Sequence, residues 1–310
     1  MSEAMQPSGG DSRERTVTVA ILGASGKTGR HLVARLATDG MRVIAVGRSP
    51  ARLVQFSHPR AERRIASFEE PIALRAALEG AEVVVNTAEA HFVDALLAAL
   101  PSTCRRVIQM GTMRRFLAEP DEPGRHAAHA EESLARCGVP AVIIHPGLIY
   151  GHDDDQNVEK VLTLMRRWPR ALPLVLPLPD GGRRSVQPIF IDDIVDALAA
   201  AVTNTDAPGA PIAAPGPALS YADMLRLCAK AAERRLHIAS VPTAALSAAA
   251  RMAQRLGFRL PFGADSFNRA GEDKHQSAAM LADRLGIVPR PFAEGLRDRR
   301  SASRVLDRVS

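Results

Sequence analysis

The first half of the chain alternates short apolar runs with segments in which apolar residues recur every three or four positions. Short apolar runs are typical of buried strands, and the wider spacing is typical of helices with one buried face. Strands that alternate with helices form right-handed crossover units around a parallel sheet. The pattern predicts an α/β domain with the strands TVTVAIL, MRVIAVG, AEVVVNTA, RRVIQMG and PAVIIHPG and the helices GRHLVARLATDG, PIALRAALEG, HFVDALLAAL and RHAAHAEESLARCG.

The amino-acid composition of the chain changes after Tyr150. A segment rich in proline and arginine precedes IFIDDIVDALAAAV, which predicts a strand that turns into a helix at Asp192 or Asp193. Helical pieces and short links follow. We therefore divide the chain into a loose polar tail over 1–15, a nucleotide-binding domain over 16–150, a smaller substrate lobe over 151–300 and a basic tail over 301–310.

Three glycines, spaced three residues apart, follow the first predicted strand. Gly23, Gly26 and Gly29 lie between a strand and a helix, whereas a triphosphatase loop would need its first glycine at Ile21. Glycine permits a tight turn, close approach to a pyrophosphate, and close packing of helix on strand. The first helical turn then presents its N–H groups to the anion. The segment predicts a dinucleotide site at Gly23, Ser25, Gly26, Lys27, Thr28 and Gly29.

Composition narrows the functional classes. The chain has 310 residues, 46% of them hydrophobic, and no apolar run as long as a membrane-spanning helix. Its 3 cysteines are too scattered for a disulfide framework or a metal site, so we expect a cytoplasmic protein that binds no metal. The net charge of +6 favours anionic partners, but basic and aromatic residues are not interleaved, and we expect no nucleic-acid partner.

One segment of the second lobe combines arginines with apolar residues. In ALSAAARMAQRLGFRL, Arg251, Arg255 and Arg259 share one helical face, and the apolar residues Leu246, Met252 and Leu256 lie away from it. That distribution suits weak contact with an anionic membrane surface or with a lipid substrate. A surface helix packed by its apolar side is the alternative interpretation.

Several motifs occur in an order that is typical of one group of proteins. From about residue 16 to 297 the chain resembles the extended and atypical short-chain dehydrogenase/reductases, including epimerase-like, NmrA-like and complex I accessory-subunit-like branches. The resemblance implies a Rossmann-type, doubly wound parallel sheet with a C-terminal substrate lobe partly interleaved with it. The motifs are LGASGKTGRHL, VGRSPARL, GAEVVVNTA, VIQMGTMRRF, VIIHPGLIYG, RRSVQPIFIDDIVDAL and EDKHQSAAMLADRLGIVPRPFAEGL.

The resemblance also implies a cofactor. In such proteins an acidic residue after the second strand binds the ribose of NAD, whereas an arginine there meets the 2′-phosphate of NADP. Arg48 follows this strand without a nearby carboxylate, so we expect NADP(H), with NAD(H) as the alternative if Arg48 is only a surface residue. Ser67 replaces the aspartate that usually lies beside the adenine. We assign Asn86, Thr87, Ala88, Gly111, Pro146 and Gly147 to the same site.

The chain departs from the family pattern at the usual catalytic pair. Hydride transfer in the family relies on Tyr-x-x-x-Lys, in which the lysine lowers the pKa of the phenol. Neither Tyr150 nor Tyr221 has a lysine four residues later. Counted back from the family's glutamate at Glu131 or Glu132, the pair's positions hold alanine and either proline or glycine. Hydride transfer would therefore need another acid or base.

Three residues are candidates for catalysis. Thr112 stands where a catalytic serine or threonine follows the fifth strand, although a strand-end cap is the alternative. His126, with His129 on the same helix, is a candidate to replace the phenol, because imidazole is a common general acid or base. His145 is a candidate for a role beside the substrate. Their alternatives are an ordinary half-exposed helix residue for His126 and a buried, hydrogen-bonded residue for His145.

Three further residues are candidates for substrate contact. Arg114 and Arg115 suit bidentate contacts with an anionic or phosphorylated substrate. On an extended segment their side chains would point in opposite directions, so at most one would face the site. Tyr150, in HPGLIYG, is the third.

Two functional hypotheses follow. In the first, the protein is an NADP(H)-dependent reductase or epimerase that acts on a small carbonyl or carbinol compound, a sugar nucleotide or a lipid. In the second, it binds the dinucleotide without catalysis and serves in regulation or assembly. A fold alone does not decide between them. We expect a small-molecule partner and a monomer or homodimer.

Overall fold

The computed structural model describes residues 16–54, 60–152, 155, 157–204, 211–246, 248, 252 and 275–307. Within these residues a seven-stranded sheet forms the centre of the molecule. The described strands are β1 (Thr18–Leu22), β2 (Arg42–Gly47), β3 (Ala61–Ile65), β4 (Val83–Asn86), β5 (Arg106–Met110), β6 (Ala141–Pro146), β7 (Leu148–Tyr150), β8 (Leu174–Pro179), β9 (Ser185–Val186), β10 (Pro188–Phe190), β11 (Ile212–Ala214), β12 (Leu219–Ser220) and β13 (Leu236–Val241).

Helices cover both faces of the sheet. Among the described helices, none is long and apolar enough to cross a membrane. They are α1 (Lys27–Thr38), α2 (Pro50–Leu53), α3 (Pro71–Leu78), α4 (Val93–Ala99), α5 (Glu122–Arg136), α6 (Val158–Arg167), α7 (Ile191–Thr203), α8 (Tyr221–Ala231), α9 (Ala279–Leu285) and α10 (Phe292–Asp307), with 3₁₀ turns at Ala90–Phe92, Met113–Phe116 and Asp180–Gly182.

The sheet has the order β11-β6-β5-β4-β1-β2-β3, and every neighbouring pair is parallel. Strands β1, β2 and β4 are almost fully buried because helices pack on both faces, as expected for parallel strands that are continuously apolar. One face packs on α1 and α7, and the other packs on α3, α4 and α5. The predicted doubly wound parallel sheet is therefore confirmed.

The second half of the chain returns to this sheet. Strand β11 pairs with β6, so that Ile212 lies beside Ile144, and α7 packs against α1. The remaining short strands form three two-stranded sheets: β7 with β10, β9 with β12, and β8 with β13. The short apolar sequence of β11 has no periodicity that would have predicted a seventh strand.

Three predicted boundaries differ from the structure. Helix α1 begins at Lys27, two residues before the predicted start, because Gly26 takes the N-cap position. Helix α7 begins at Ile191, directly after β10, rather than at one of the two aspartates. Helix α10 continues to Asp307, through most of the segment predicted to be a tail. The predicted N-terminal tail lies outside the described residues.

A charged cluster fastens the C-terminal segment to α7. Asp193, only 4% exposed, accepts hydrogen bonds from the backbone N of Arg290 at 2.9 Å and from its Nε at 2.8 Å. The same guanidinium donates to Asp298 at 3.0 Å and lies 4.7 Å from the ring centre of Phe190. The cluster holds the start of α10 against the core.

We expect Asp193→Ala to lower the free energy of unfolding by about 2–4 kcal/mol, because it removes two hydrogen bonds and leaves the partly buried Arg290 without its main partner. Asp298→Ala removes a more exposed partner and should cost about 1 kcal/mol or less. Urea denaturation of both variants measures the difference. Equal losses would show that the buried carboxylate is not the main anchor.

Candidate functional site

The candidate site lies along the carboxyl edge of the parallel sheet. All seven strands end at this edge, and the chain moves from β3 at one side of the sheet to β4 beside β1. Such a switch in strand order opens a crevice where ligands bind in doubly wound folds. The strand ends bring together Gly23 after β1, Arg48 after β2, Ser67 after β3, Thr87 and Ala88 after β4, Gly111 and Thr112 after β5, and Pro146 and Gly147 at the end of β6.

The turn between β1 and α1 depends on its glycines. Gly23 has a left-handed backbone with φ +72°, and the N–H of Gly26 donates to the carbonyl of Gly23 at 2.7 Å. A Cβ on Gly29 would overlap that same carbonyl oxygen and crowd Thr87. Residue 29 must therefore be glycine, because α1 packs directly on the turn.

The N-terminus of α1 is built to receive an anion. Gly26 is the N-cap, no side chain caps the helix, and its first turn contains no acidic residue. The first N–H groups of a helix have no partner within the helix, and its dipole favours negative charge there. Lys27 is half-buried beside them, and Arg52 donates to the carbonyl of Ser25 at 3.3 Å. A pyrophosphate would meet N–H groups and positive charge together.

The residues after β4 form a rigid shelf beside this turn. Both the backbone N and the Oγ1 of Thr87 donate to the carbonyl of Leu22, at 3.0 and 2.8 Å. Asn86 accepts from the N–H of Ala88 at 3.0 Å and donates to Gln109 at 2.9 Å, and both amide side chains are fully buried. Gln109 was not among the predicted site residues, although a single amide within the apolar run of β5 was the available signal.

Arg48 and Ser67 lie at the neighbouring strand ends. Arg48 is exposed directly after β2. The Oγ of Ser67 donates to the carboxylate of Glu69, so a carboxylate lies close to the position where the family usually has an aspartate. Phe68 stacks on Phe92, with ring centres 4.3 Å apart and planes within 6°. No sequence pattern predicts this aromatic pair, since the two residues come from different loops.

The histidines of α5 have different surroundings. His126 is half-buried, and its ring centre lies 5.3 Å from that of His91, which in turn packs on Phe92 at 3.8 Å. His129 is more exposed and pairs with Asp94 at 2.7 Å, and this hydrogen bond lowers the pKa of the Asp94 carboxyl. His126 therefore belongs to the aromatic group near the crevice, whereas His129 forms a surface pair.

His145 links Thr112 to Glu131 inside the protein. Its ring is fully buried; Nδ1 accepts the N–H of Thr112 at 3.1 Å, and Nε2 lies 3.0 Å from Glu131 Oε1. Nδ1 also lies 3.2 Å from the carbonyl oxygen of Thr112, so a proton on that nitrogen would find an acceptor too. A Cβ on Gly111 would overlap the ring. His145 therefore positions the end of β5 and is shielded from a substrate.

The carboxylate of Glu131 contacts two basic side chains. The Nε of Arg115 donates to its Oε1 at 3.1 Å, on the same oxygen that faces His145. Burial acts to raise the pKa of the Glu131 carboxyl, but the hydrogen bond and charge of His145, together with Arg115, hold the pKa below its ordinary value. Glu131 is thus an ionised anchor on α5.

The predicted substrate residues already have internal partners. Arg114 pairs with Asp121, which also caps α5 by accepting from the N–H of Gly124 at 3.3 Å. Thr112 Oγ1 accepts the N–H of Arg114 at 3.3 Å, which is the strand-end cap considered as the alternative. As Arg115 binds Glu131, both arginines of GTMRRF stabilise the loop after β5.

Tyr150 lies in the core rather than in the crevice. Its side chain is fully buried, its hydroxyl donates to the carbonyl of Phe292 at 3.3 Å, and its ring packs on Phe190 and Phe292. Burial raises the pKa of its phenol. Tyr150 therefore joins β7 to α10 and is inaccessible to a substrate in this structure.

Two other parts of the site are shaped by close contacts. The N–H of Gly147 donates to the carbonyl of Ala214 at 3.0 Å, and a Cβ there would overlap the carbonyl oxygen of Gln187. Gln187 is buried, and its side-chain amide both donates to and accepts from the backbone of Gln276, at 2.8 Å each.

On α5, Ala127 is fully buried at one of the positions considered for the family's tyrosine–lysine pair. No phenol or amine occurs on α5.

The remaining predictions concern metals and membranes. In the part of the chain that the structure describes, no three histidine, cysteine or acidic side chains are grouped so as to hold a metal ion. Asp155 caps α6 by accepting from the N–H of Asn157 at 2.7 Å and of Val158 at 3.1 Å. The arginines predicted to face a membrane, at 251, 255 and 259, lie outside the described residues.

Part of the chain matches a known domain family, and longer proteins contain segments similar to it. Residues 23–164 match a family model described as NAD(P)H-binding, which starts at the first glycine of the turn. An uncharacterized protein of Mycobacterium tuberculosis is 29% identical over 204 residues, which cover 64% of this chain and 22% of that protein. The mitochondrial NADH dehydrogenase (ubiquinone) 1 alpha subcomplex subunit 9 of Arabidopsis thaliana is 25% identical over 229 residues, 65% of this chain and 54% of that subunit. The chain therefore corresponds to part of each relative.

Solved structures show the same fold. A nucleoside-diphosphate-sugar epimerase from Pseudomonas aeruginosa has a TM-score of 0.71 and 19% identity, covering 92% of this chain and 97% of that one. An NADPH-dependent quinone oxidoreductase from Escherichia coli, complexed with NADPH, has a TM-score of 0.70 and 16% identity, covering 90% of this chain and 98% of that one. The expected resemblance to epimerase-like short-chain dehydrogenase/reductases is confirmed at the level of the matched domain and the fold.

The Glu131 anchor should make stability depend on acid pH. A carboxyl whose pKa is depressed by folding stabilises the protein above its unfolded pKa, and the stabilisation is lost as the pH falls through the folded pKa. We expect Glu131→Gln to cost about 1–2 kcal/mol of unfolding free energy at neutral pH, and less at acid pH. Urea denaturation over a pH series measures this, with the exposed Glu132→Gln as control. A pH-independent difference would contradict the assignment.

Proposed function

We propose that this protein, whose residues 23–164 match an NAD(P)H-binding family model, is an NADP(H)-dependent oxidoreductase that acts on a small carbonyl or carbinol compound. The observation that carries the proposal is the turn after β1. There the N-cap glycine, the uncapped helix N-terminus and the lack of acidic residues together fit a pyrophosphate. The matched domain begins at this turn, at Gly23.

Arg48 supports NADP(H) over NAD(H). Its guanidinium is exposed directly after β2, where a 2′-phosphate would lie if the dinucleotide followed the crevice. Arg52, on the following helix, is fixed to the turn through Ser25 and adds positive charge. The carboxylate at Glu69 is tied to Ser67, on the neighbouring strand end. Charge-assisted contacts of an arginine with a phosphate are strong enough to set such a preference.

Thr112 is the side chain best placed to contact a substrate oxygen. Its Oγ1 accepts the N–H of Arg114, which leaves its own hydroxyl proton to be donated. His145 holds the backbone of Thr112 from behind, and Glu131 holds His145. A bound NADPH would supply the hydride, Thr112 would orient the carbonyl and hydrogen-bond its oxygen, and the proton that completes the reduction would come from solvent. In this arrangement His145 and Glu131 act as positioning residues.

A dinucleotide-binding protein without catalysis is the second candidate. The observation that favours it is the engagement of polar residues near the crevice. Arg114 and Arg115 form internal ion pairs, and Tyr150 is enclosed in the core. In that case the cofactor would stabilise the fold or report the redox state to a partner.

Cofactor choice is tested by titrating the purified protein separately with NADPH and NADH and following nicotinamide fluorescence. We expect Arg48→Ala to weaken NADPH binding by about tenfold or more, since it removes a charge-assisted contact, and to leave NADH binding unchanged. The exposed Arg63→Ala on β3 is the matched control. Equal effects of Arg48→Ala on both nucleotides would remove the basis for the phosphate contact.

Catalysis is tested by following NADPH oxidation with a panel of ketones and quinones, and by hydride exchange between labelled NADPH and unlabelled NADP⁺. We expect turnover, and a loss of about a hundredfold in kcat for Thr112→Val with unchanged NADPH affinity. Thr103→Val is the control, because Thr103 donates to Ala81 before β5, at the opposite edge of the sheet. Tight NADPH binding with neither turnover nor exchange would favour the second candidate.

A further inference from the structure

The small sheet of β8 and β13 has an exposed outer face. The two strands are parallel, and Val175 lies beside His237, so both side chains point to the same side. Both are exposed, Val175 to 45%, whereas Leu174 and Leu178 on the opposite side are buried in the core. The outer face therefore presents the aliphatic side chain of Val175 to solvent, where it takes little part in core packing.

Arginines surround this face at its amino end. Because β8 and β13 are parallel, the segments that precede them lie at the same end, and Arg234 donates to the carbonyl of Pro169 at 2.9 Å. Arg167, Arg170 and Arg235 are exposed on these two segments. Leu172 lies between Arg170 and β8 and is 54% exposed. We call Arg167, Arg170, Leu172, Val175 and Arg235 the arginine–aliphatic face.

The charge on these two segments is strongly one-sided. From 160 to 179 the sequence has four basic residues and no acidic one, and from 226 to 246 Glu233 is the single acidic residue. Among these arginines, Arg166 is paired with Glu159 at 3.0 Å and Arg226 with Asp223 at 2.8 Å. Positive charge and exposed aliphatic surface thus coincide on one side of the lobe.

We propose that the arginine–aliphatic face docks on an anionic lipid membrane surface. Leucine and valine side chains enter the boundary between head groups and acyl chains, and arginine side chains extend to the lipid phosphates while their stems cover apolar surface. Each basic residue near such a surface raises the partition constant about fivefold. Three exposed arginines beside two exposed aliphatic residues match both parts of this interaction.

The other partners that bind positive surfaces fit less well. A second copy of the chain would bring the same arginines together, and like charges repel. Single-stranded nucleic acid is bound largely by stacking of successive bases on aromatic side chains, whereas the face offers leucine and valine with the single imidazole of His237 beside them. A face that combines isolated aliphatic side chains with arginines is best matched by lipid head groups and the acyl region beneath them.

The docking face is separate from the cofactor crevice. Strands β8 and β13 form their own sheet, and the residues of the glycine turn lie on the seven-stranded sheet. Variants of the face should therefore keep the same affinity for NADPH. Membrane docking also does not depend on whether the crevice catalyses a reaction. An experiment can therefore overturn either the docking or the proposed catalytic function and leave the other standing.

The experiment is flotation of the full chain with vesicles of phosphatidylcholine alone and with vesicles that also contain phosphatidylglycerol. We expect binding to the anionic vesicles only, weakened by salt. Replacing Arg167 and Arg170 with glutamine should reduce the partition constant by more than about tenfold. Leu172→Ser keeps the net charge and should reduce it severalfold. Circular dichroism shows that each variant is folded.

The matched control replaces Arg63 and Arg136 with glutamine, which removes the same charge from exposed positions elsewhere on the chain. It should keep most of the binding. The proposal is overturned if the control loses as much binding as the variant of the face, since the effect would then come from net charge. It is also overturned if Leu172→Ser has no effect, or if the protein binds a polyanion such as heparin but neither type of vesicle.

Discussion

The close approach of α1 to the end of β1 is the constraint on which the site depends. The backbone of Gly29 lies against the carbonyl oxygen of Gly23, and the same carbonyl accepts the N–H of Gly26. With no Cβ in the way, the helix can begin immediately after the strand and aim its first N–H groups across the sheet edge. A side chain at Gly29 would push the helix away, and these N–H groups would no longer converge. One packing contact thus fixes both the fold and its capacity for an anion.

Buried polar contacts then hold the neighbouring strand ends in place. Thr87 ties β4 to β1, the Asn86–Gln109 pair ties β4 to β5, and His145 ties β6 to β5. A buried amide or imidazole costs free energy unless its hydrogen bonds are satisfied, so each of these residues specifies one register of the crevice. The edge is therefore preorganised before any ligand binds.

Much of this could be predicted from the sequence, for a physical reason. The apolar runs and glycine spacing are local patterns, and they predicted five strands of the main sheet, the turn after β1 and the strand ends around the crevice. Strands β3 and β11 lack such a pattern, the first because charged residues interrupt it and the second because it is short. Side-chain partners depend on residues distant in sequence. The sequence could therefore nominate Arg115, His145 and Tyr150 as site residues, but it could not reveal their internal partners.

These partners limit what the crevice can do chemically. Arg115 and His145 share the carboxylate of Glu131, and moving either side chain toward a ligand would remove one of the two contacts of a partly buried charge. That cost would be subtracted from any gain in substrate binding. Thr112 pays no such cost, because its hydroxyl can keep the N–H of Arg114 and still donate its own proton. Chemistry at this edge would therefore rest on the hydroxyl of one residue whose backbone a buried imidazole holds, which favours substrates whose oxygen needs a hydrogen bond more than a full proton.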